Sequence, residues 1–117
     1  MEFINGRVKK CYQERKMLSE KWESARIRLN NANIFNRSKR QAEYDKAFNE
    51  LLNYSREVYA KEIYDAYSNI KPPLVRVKTG EKIAWDNLFS KRFEALDSMY
   101  RDILVGLIEG GGYEFAD

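Results

Sequence analysis

The chain has 117 residues, of which 44% are hydrophobic and 33% charged, a composition typical of one folded domain with a modest core rather than of a disordered chain. The longest apolar run, residues 103–108, is far shorter than the roughly 20 residues of a membrane-spanning helix, and the first ten residues lack a signal-peptide pattern. Because Cys11 is the single cysteine, no disulfide can form within one chain. From these features together we expect a cytoplasmic protein with no membrane partner.

Positive charge is concentrated in the first third of the sequence. Residues 1–40 contain eleven Lys and Arg and four Asp and Glu, a net charge of +7, whereas residues 41–117 contain ten and fourteen, a net charge of −4. This asymmetry indicates either a footprint for an acidic partner or two segments that lie side by side and partly neutralise each other. The second interpretation is the simpler one.

Apolar residues at alternating spacings of three and four predict a first helix from Asn5 to Ala32. This pattern is typical of a helix that packs at a shallow angle on another helix. The seam consists of Ile4, Val8, Cys11, Arg15, Leu18, Trp22, Ala25, Leu29 and Ala32. Arg15 is its charged exception, and it lowers stability unless its guanidinium reaches solvent or a carboxylate.

The stretch NNANIFNRSKRQ, residues 30–41, follows this helix. Its four asparagines weaken a helix because their amides compete for nearby backbone groups. Ser38 followed by Gln41 matches a capping box, in which the serine oxygen accepts from an amide three residues on and the glutamine reaches back. The stretch therefore predicts a turn, followed by a second helix over residues 39–69.

The second helix has its own apolar stripe, which is eventually interrupted by proline. The stripe consists of Phe48, Leu52, Ser55, Tyr59, Ile63, Ala66 and Ile70, and Tyr44, Leu51 and Tyr67 widen it. Pro72 and Pro73 end the helix, because proline lacks an amide proton and keeps the preceding residue out of the helical region. The connector 71–85 then forms a hairpin turning at Thr79-Gly80, or a third helix begins at a Thr79 cap, or it begins at Asp86 after a short strand pair. The pattern leaves these three alternatives open.

Residues 86–109 form the most apolar segment and predict a third helix, which Gly110 terminates before a short tail over residues 110–117. We expect this helix to pack into the groove between the first two. The predicted fold is therefore all-α, with or without one small β-hairpin around residues 74–85. It is a single domain, residues 1–117, built from a long antiparallel helical hairpin and a third packed helix.

The residue inventory argues against catalysis. The chain contains no histidine, which removes the commonest general base, the Ser-His and Cys-His pairs and most zinc sites. Cys11 lies on the apolar seam, where we expect a buried, unreactive thiol. Acidic pairs one helical turn apart occur in almost any charged helix and carry little information. We therefore expect no enzymatic activity, no metal and no cofactor.

The turn is the first place where a partner could bind. Arg37, Lys39 and Arg40 carry positive charge at the start of a helix whose free amide protons also favour anions. Ile34 and Phe35 must either tuck under the end of the helices or be exposed to a partner. We predict partner binding at these five residues, and the alternative is a solvated loop whose charges only maintain solubility.

The connector carries a second group of basic residues, Lys71, Arg76, Lys78 and Lys82. In a hairpin, these residues could contact the phosphate backbone of a nucleic acid. An edge ribbon that lysines protect from aggregation is an equally good explanation.

Tyrosines of the second helix form the third group. Tyr54 and Tyr64 fall off the main apolar stripe, and exposed tyrosines favour interfaces because they bury large areas at little entropy cost. The alternative is that they lie at the margin of the core.

Together these features favour a non-catalytic helical interaction module that acts by occupying a partner's surface. A regulator, an inhibitor or a small subunit of a macromolecular, possibly nucleoprotein, complex would fit, with another protein as the main partner. The alternative is a nucleic-acid-binding protein that uses the basic loops 37–40 and 71–82. The wide apolar face of the third helix also suggests a homodimer through that helix.

Overall fold

The computed structural model describes residues 6–68, 74–77, 82–84, 88–89, 91–109 and 113–116. Helix α1 spans Gly6–Asn30. The second helix runs without a break through α2 (Arg37–Asn53), a π-helical turn (Tyr54–Tyr59) and α3 (Ala60–Tyr67). These two long helices pack against each other, and α4 (Ser98–Glu109) packs on them, which confirms the predicted helical hairpin with a third helix.

Some of the sequence-based assignments fall outside the described residues. They include Ile4, Asn5, Ile70, Lys71, Pro72, Pro73, Lys78, Thr79, Gly80, Asp86 and Gly110.

The turn between the long helices is built by two asparagines. The Asn33 side-chain oxygen accepts hydrogen bonds from the amides of Phe35 at 2.9 Å and Asn36 at 3.1 Å, while the Asn36 side-chain oxygen accepts one from the Asn33 amide at 2.9 Å. The predicted capping box is wrong, because α2 begins at Arg37 and Ser38 is already inside the helix. The residue at the N-cap position is Asn36, and its side chain forms no capping hydrogen bond. Asparagine bonds so readily to nearby amides that this local turn forms instead.

Three short antiparallel strands form a small sheet in the order β2-β1-β3. Strand β1 (Leu74–Val77) pairs with β2 (Lys82–Ala84), so of the alternatives that the sequence left open the structure shows a strand pair in the connector. Strand β1 also pairs with β3 (Tyr113–Ala116), which the sequence analysis treated only as a tail. A four-residue segment between glycines and the end of the sequence is too short to show a convincing strand period.

The third helix is shorter than predicted, because it begins at Ser98 rather than near residue 86. A 3₁₀ turn, Phe93–Ala95, precedes it, and the backbone is extended on both sides of that turn. The Asp97 side chain accepts a hydrogen bond from the Tyr100 amide at 3.2 Å and so caps α4. Leu88 and Leu96 are buried like helix-stripe residues, which explains why the apolar pattern predicted a longer helix.

The core lies at one end of the hairpin. It joins the start of α1 to the π-helical turn, α3 and α4, and its largest fully buried side chains are Tyr59, Ile63, Leu88, Leu104, Ile108 and Val8. Within residues 17–50, by contrast, only Ala25 and Ala47 are buried. We call residues 17–50 the arm, because they extend roughly 25 Å beyond α4 as a two-helix projection, in keeping with a molecule of 54 × 31 × 27 Å.

Ion pairs join the basic first segment to the acidic remainder of the chain. Arg7 contacts Glu62 at 3.1 Å, Lys21 contacts Glu50 at 3.1 Å, and Arg15 contacts Glu109. These three pairs neutralise part of the charge asymmetry within the molecule, in keeping with the simpler interpretation. Among the described helices, none combines the length and the apolar content needed to cross a bilayer.

Candidate interaction surface

The tip of the arm exposes two adjacent apolar side chains. Ile34 is 86% exposed and Phe35 94% exposed, so neither tucks under the end of the helices. The reciprocal hydrogen bonds of Asn33 and Asn36 define the backbone on either side of this pair. Of the two alternatives that the sequence left open, the structure therefore shows the exposed one.

Positive charge surrounds this apolar pair. Residues 28–41 contain four Lys and Arg and no Asp or Glu, and Arg28, Arg37 and Lys39 are exposed. Within the part of the chain that the structure describes, none of these three side chains forms an ion pair. The tip therefore keeps an excess of positive charge.

Arg40, the fourth cation, is engaged within the chain. It is half-buried and contacts Glu43 at 3.0 Å. The pKa of the Glu43 carboxyl lies below its usual range, chiefly because Arg40 hydrogen-bonds to it, and the charges of Lys39 and Arg28 act in the same direction. Sequence reasoning grouped Arg40 with Arg37 and Lys39, but the structure assigns it to an intramolecular ion pair.

An open groove runs beside the apolar pair along the first two turns of α2. It has a volume of about 790 Å³, and the small side chains Ala32 and Ala42 line it together with Arg37, Gln41 and Asp45. Ile34 also borders it, so the groove adjoins the exposed apolar pair.

The side of the arm carries an aromatic cluster that sequence reasoning assigned to the helix seams. The Trp22 and Tyr44 rings lie 6.3 Å apart, and the Tyr44 and Phe48 rings stack at 6.3 Å with an angle of 9°. Phe48 remains 41% exposed, and the Trp22 indole N–H is buried without a hydrogen-bond partner among the described residues. The cluster stays partly open because α4 crosses the hairpin nearer its other end.

Large apolar side chains are exposed mainly on the arm. Five of the seven exposed large hydrophobic residues in the described part of the chain lie there: Met17, Ile27, Ile34, Phe35 and Phe48. The other two are Val58 and Met99, which lie near the core. Apolar exposure therefore marks the arm as the part of the molecule suited to contacting a partner.

The two tyrosines proposed as interface residues are engaged within the molecule. The Tyr54 hydroxyl donates to Glu14, and burial, followed by this hydrogen bond, raises the pKa of Tyr54. Tyr64 packs against Phe89 at 4.7 Å between ring centres, and its hydroxyl donates to the Lys91 carbonyl. Both side chains are half-buried, so they pack at the margin of the core.

The basic connector is only partly described. Arg76 in β1 lies opposite Lys82 in β2 and opposite Glu114 in β3. Lys71 and Lys78, the other two residues of this predicted phosphate-contacting group, lie outside the described residues. The register thus brings two of the four residues together beside an acidic one.

The apolar face of α4 is directed into the molecule. Ile103, Leu104, Val105 and Ile108 are all buried, whereas Met99 at the start of the helix is 57% exposed. The described residues of α4 therefore leave little apolar surface for self-association through that helix.

A cluster of polar side chains lies where α4 crosses the hairpin. Arg15 Nε donates to Ser55 Oγ at 2.6 Å, and the Arg15 guanidinium also pairs with Glu109. Burial raises the pKa of Glu109, although the Arg15 charge acts in the opposite direction. The Tyr59 hydroxyl is buried nearby without a hydrogen-bond partner among the described residues. This arrangement satisfies the requirement that the sequence placed on Arg15.

Among the described residues, no group of three Cys, Asp or Glu side chains is placed to hold a metal ion. Cys11, which was expected to be buried, is a half-buried free thiol. Comparisons of the chain with protein-family models, with curated proteins and with solved structures found no match. The tip is therefore interpreted from its own geometry.

Proposed function

We propose that this protein is a non-catalytic interaction module, acting as a regulator, an inhibitor or a small subunit, that binds another protein through the tip of its arm. The observation that carries the proposal is the exposure of Ile34 and Phe35, at 86% and 94%, at the end of a two-helix projection. Such side chains gain free energy when a partner covers them, of the order of 1.5–3 kcal/mol for each fully buried side chain.

The construction of the turn supports this proposal. Three hydrogen bonds between Asn33, Phe35 and Asn36 restrict the loop before any partner arrives. A loop that is already ordered loses less conformational entropy on binding. The hydrophobic core lies at the opposite end of the hairpin and contains no residue of the tip. Tip residues can therefore serve binding without supporting the fold.

Affinity capture with matched variants tests the proposal. The tagged full chain, the double variant Ile34→Ser with Phe35→Ser, and the control Val58→Ser with Met99→Ser are used as baits in an extract of the cells that produce the protein. We expect a defined set of proteins to be retained by the wild type and the control and lost from the tip variant. Retention of the same set by all three baits would contradict the proposal. Circular dichroism verifies that each bait is folded.

Nucleic-acid binding is the second candidate, supported by the three exposed cations Arg28, Arg37 and Lys39 that form no ion pair among the described residues. If these three cations contact phosphates of duplex DNA, the logarithm of the affinity should fall with the logarithm of the salt concentration with a slope of about −2.7. A retardation assay with DNA and RNA over a salt series measures that slope. Affinity that is absent or independent of salt would remove this candidate.

A further inference from the structure

We infer that the partner surface recognised by the tip is an apolar protein pocket rimmed by carboxylates. This inference rests on the proposed function and specifies the chemistry of its partner. Two observations carry it: the exposed pair Ile34 and Phe35 at the apex, and the uncompensated cations on both helices beside that pair.

The apolar pair requires a concave apolar surface on the partner. Ile34 and Phe35 are adjacent and almost fully exposed, so a flat contact would cover only one side of each. A phosphate backbone offers ionic contacts and no apolar enclosure, and thus leaves this pair in water. A pocket that encloses both side chains removes the largest apolar area from water.

The cations require negative charge at the rim of that pocket. Arg28 lies at the end of α1, whereas Arg37 and Lys39 lie in the first turn of α2, so positive charge flanks the apex on both sides. Glu43 is the first carboxylate after residues 28–41, and Arg40 already binds it. Asp45, which lines the groove beside Arg37, accepts a hydrogen bond from Gln41 at 2.9 Å. Carboxylates on a partner would pair with the remaining cations and would also accelerate association.

The polar groups of the turn favour a protein over a lipid surface. Asn31 and Asn33 are exposed beside the apolar pair, so insertion of the apex into a bilayer would strip water from their amides. Hydrocarbon provides no hydrogen-bond partner to replace that water. The rim of a protein pocket can provide acceptors and donors for these amides as well as carboxylates for the cations.

Photo-cross-linking identifies what covers the apex. Phe35 is replaced by p-benzoylphenylalanine in the full chain, and Met99, which is 57% exposed at the start of α4, is replaced in the same way as a control. Both chains are irradiated in an extract of the producing cells, and the adducts are sequenced. We expect the position-35 probe to label a protein segment that is apolar and has Asp or Glu beside it.

Other adducts at position 35 would overturn the inference. These are adducts on nucleic acid, on phospholipid, on a second copy of this chain, or on a protein segment that lacks nearby acidic residues. Equal labelling from positions 35 and 99 would instead contradict the proposed function itself.

Charge reversal separates the acidic rim from the apolar pocket. In the chain with the probe at position 35, Arg37→Glu with Lys39→Glu should reduce the adduct yield about tenfold at low ionic strength. The control, Lys9→Glu with Lys16→Glu, makes the same change in net charge on exposed residues of α1 away from the tip. Equal yields from the two variants would overturn the acidic rim and leave the proposed function standing.

Discussion

Arg15, in the middle of α1, and Glu109, the last residue of α4, form an ion pair where α4 crosses the helical hairpin. Each side chain is 23% exposed, and Ser55 of the second helix accepts a hydrogen bond from the same guanidinium at 2.6 Å. Three helices are therefore joined by one charged side chain. The arm begins beyond this junction, so the ion pair marks the boundary between the packed core and the projection.

The pH dependence of stability should report on Glu109. Burial raises the pKa of Glu109 in the folded chain, so the folded state binds this proton more tightly than the unfolded state. Its contribution to stability is then complete below the unfolded pKa and is lost as the pH rises through the folded pKa. Between the unfolded and the folded pKa of Glu109, the free energy of unfolding of the wild type should therefore decrease with rising pH relative to that of Glu109→Gln. Urea denaturation at a series of pH values measures this difference. Glu94→Gln, at an exposed carboxylate, is the control. Parallel curves for wild type and Glu109→Gln would contradict the prediction.

Removal of the cation at this junction should destabilise the chain. Arg15→Met leaves Glu109 half-buried without its partner and deprives Ser55 of a donor, which should lower the free energy of unfolding by about 2 kcal/mol. The double variant Arg15→Met with Glu109→Leu removes both charges and should recover part of that loss. Chemical denaturation of the two single variants and the double variant measures the coupling free energy. Additive effects would show that the contact does not contribute to stability.

Two tyrosine hydroxyls with opposite surroundings provide a matched pair of variants. The Tyr59 hydroxyl is buried and has no hydrogen-bond partner among the described residues, whereas the Tyr64 hydroxyl donates to the Lys91 carbonyl. Tyr59→Phe should therefore raise the free energy of unfolding by about 1 kcal/mol, and Tyr64→Phe should lower it by about the same amount. Thermal and urea unfolding measure both changes. A loss of stability in Tyr59→Phe would indicate that a bound water satisfies the hydroxyl.

The long helices could be predicted because their apolar spacing is regular and their packing follows from it. Val8 and Ala25 on the predicted seam of α1 are buried, and the one charged seam residue, Arg15, meets a carboxylate as required. The start of α4 could not be predicted, because Phe93 and Leu96 are buried from a 3₁₀ turn and an extended segment rather than from a helix. The spacing of apolar residues predicts which side chains are buried, but it does not always predict the secondary structure of the segment that carries them.

The turn at the tip was predicted from sequence, but the contacts of its side chains were not. The sequence places Ile34 and Phe35 in a polar turn, and both side chains are exposed in the structure. The sequence does not show that Arg40 turns back to Glu43, because an i,i+3 pair and a free cation have the same spacing. Nor does it show that Phe48 stays partly exposed, since that depends on where α4 crosses the hairpin.

Charge reversal at the tip should leave the fold intact. Arg37 and Lys39 lie in the first turn of α2, where negative side chains interact favourably with the helix dipole. Arg37→Glu with Lys39→Glu should therefore retain the thermal midpoint of the wild type or raise it by a few degrees. Arg37→Glu with Arg40→Glu should unfold at a lower temperature, because it replaces the Arg40–Glu43 pair with two like charges. Thermal unfolding followed by circular dichroism compares the two variants, and the reverse order of midpoints would contradict the assignment of Arg40.

Hydrogen exchange should divide the molecule into two parts at the Arg15 junction. Within residues 17–50, only Ala25 and Ala47 are buried, whereas Ile63 and Leu104 lie in the fully buried core. Local opening of the arm exposes little apolar surface, so its amides should open at a lower free energy than those of the core. We expect amides of residues 20–48 to exchange earlier than those of residues 59–67 and 103–108, measured by mass spectrometry of peptides from the folded chain. Addition of a partner that covers the tip should slow exchange in the arm and leave the core unchanged. Uniform exchange along the second helix would show that the arm and the core unfold as one unit.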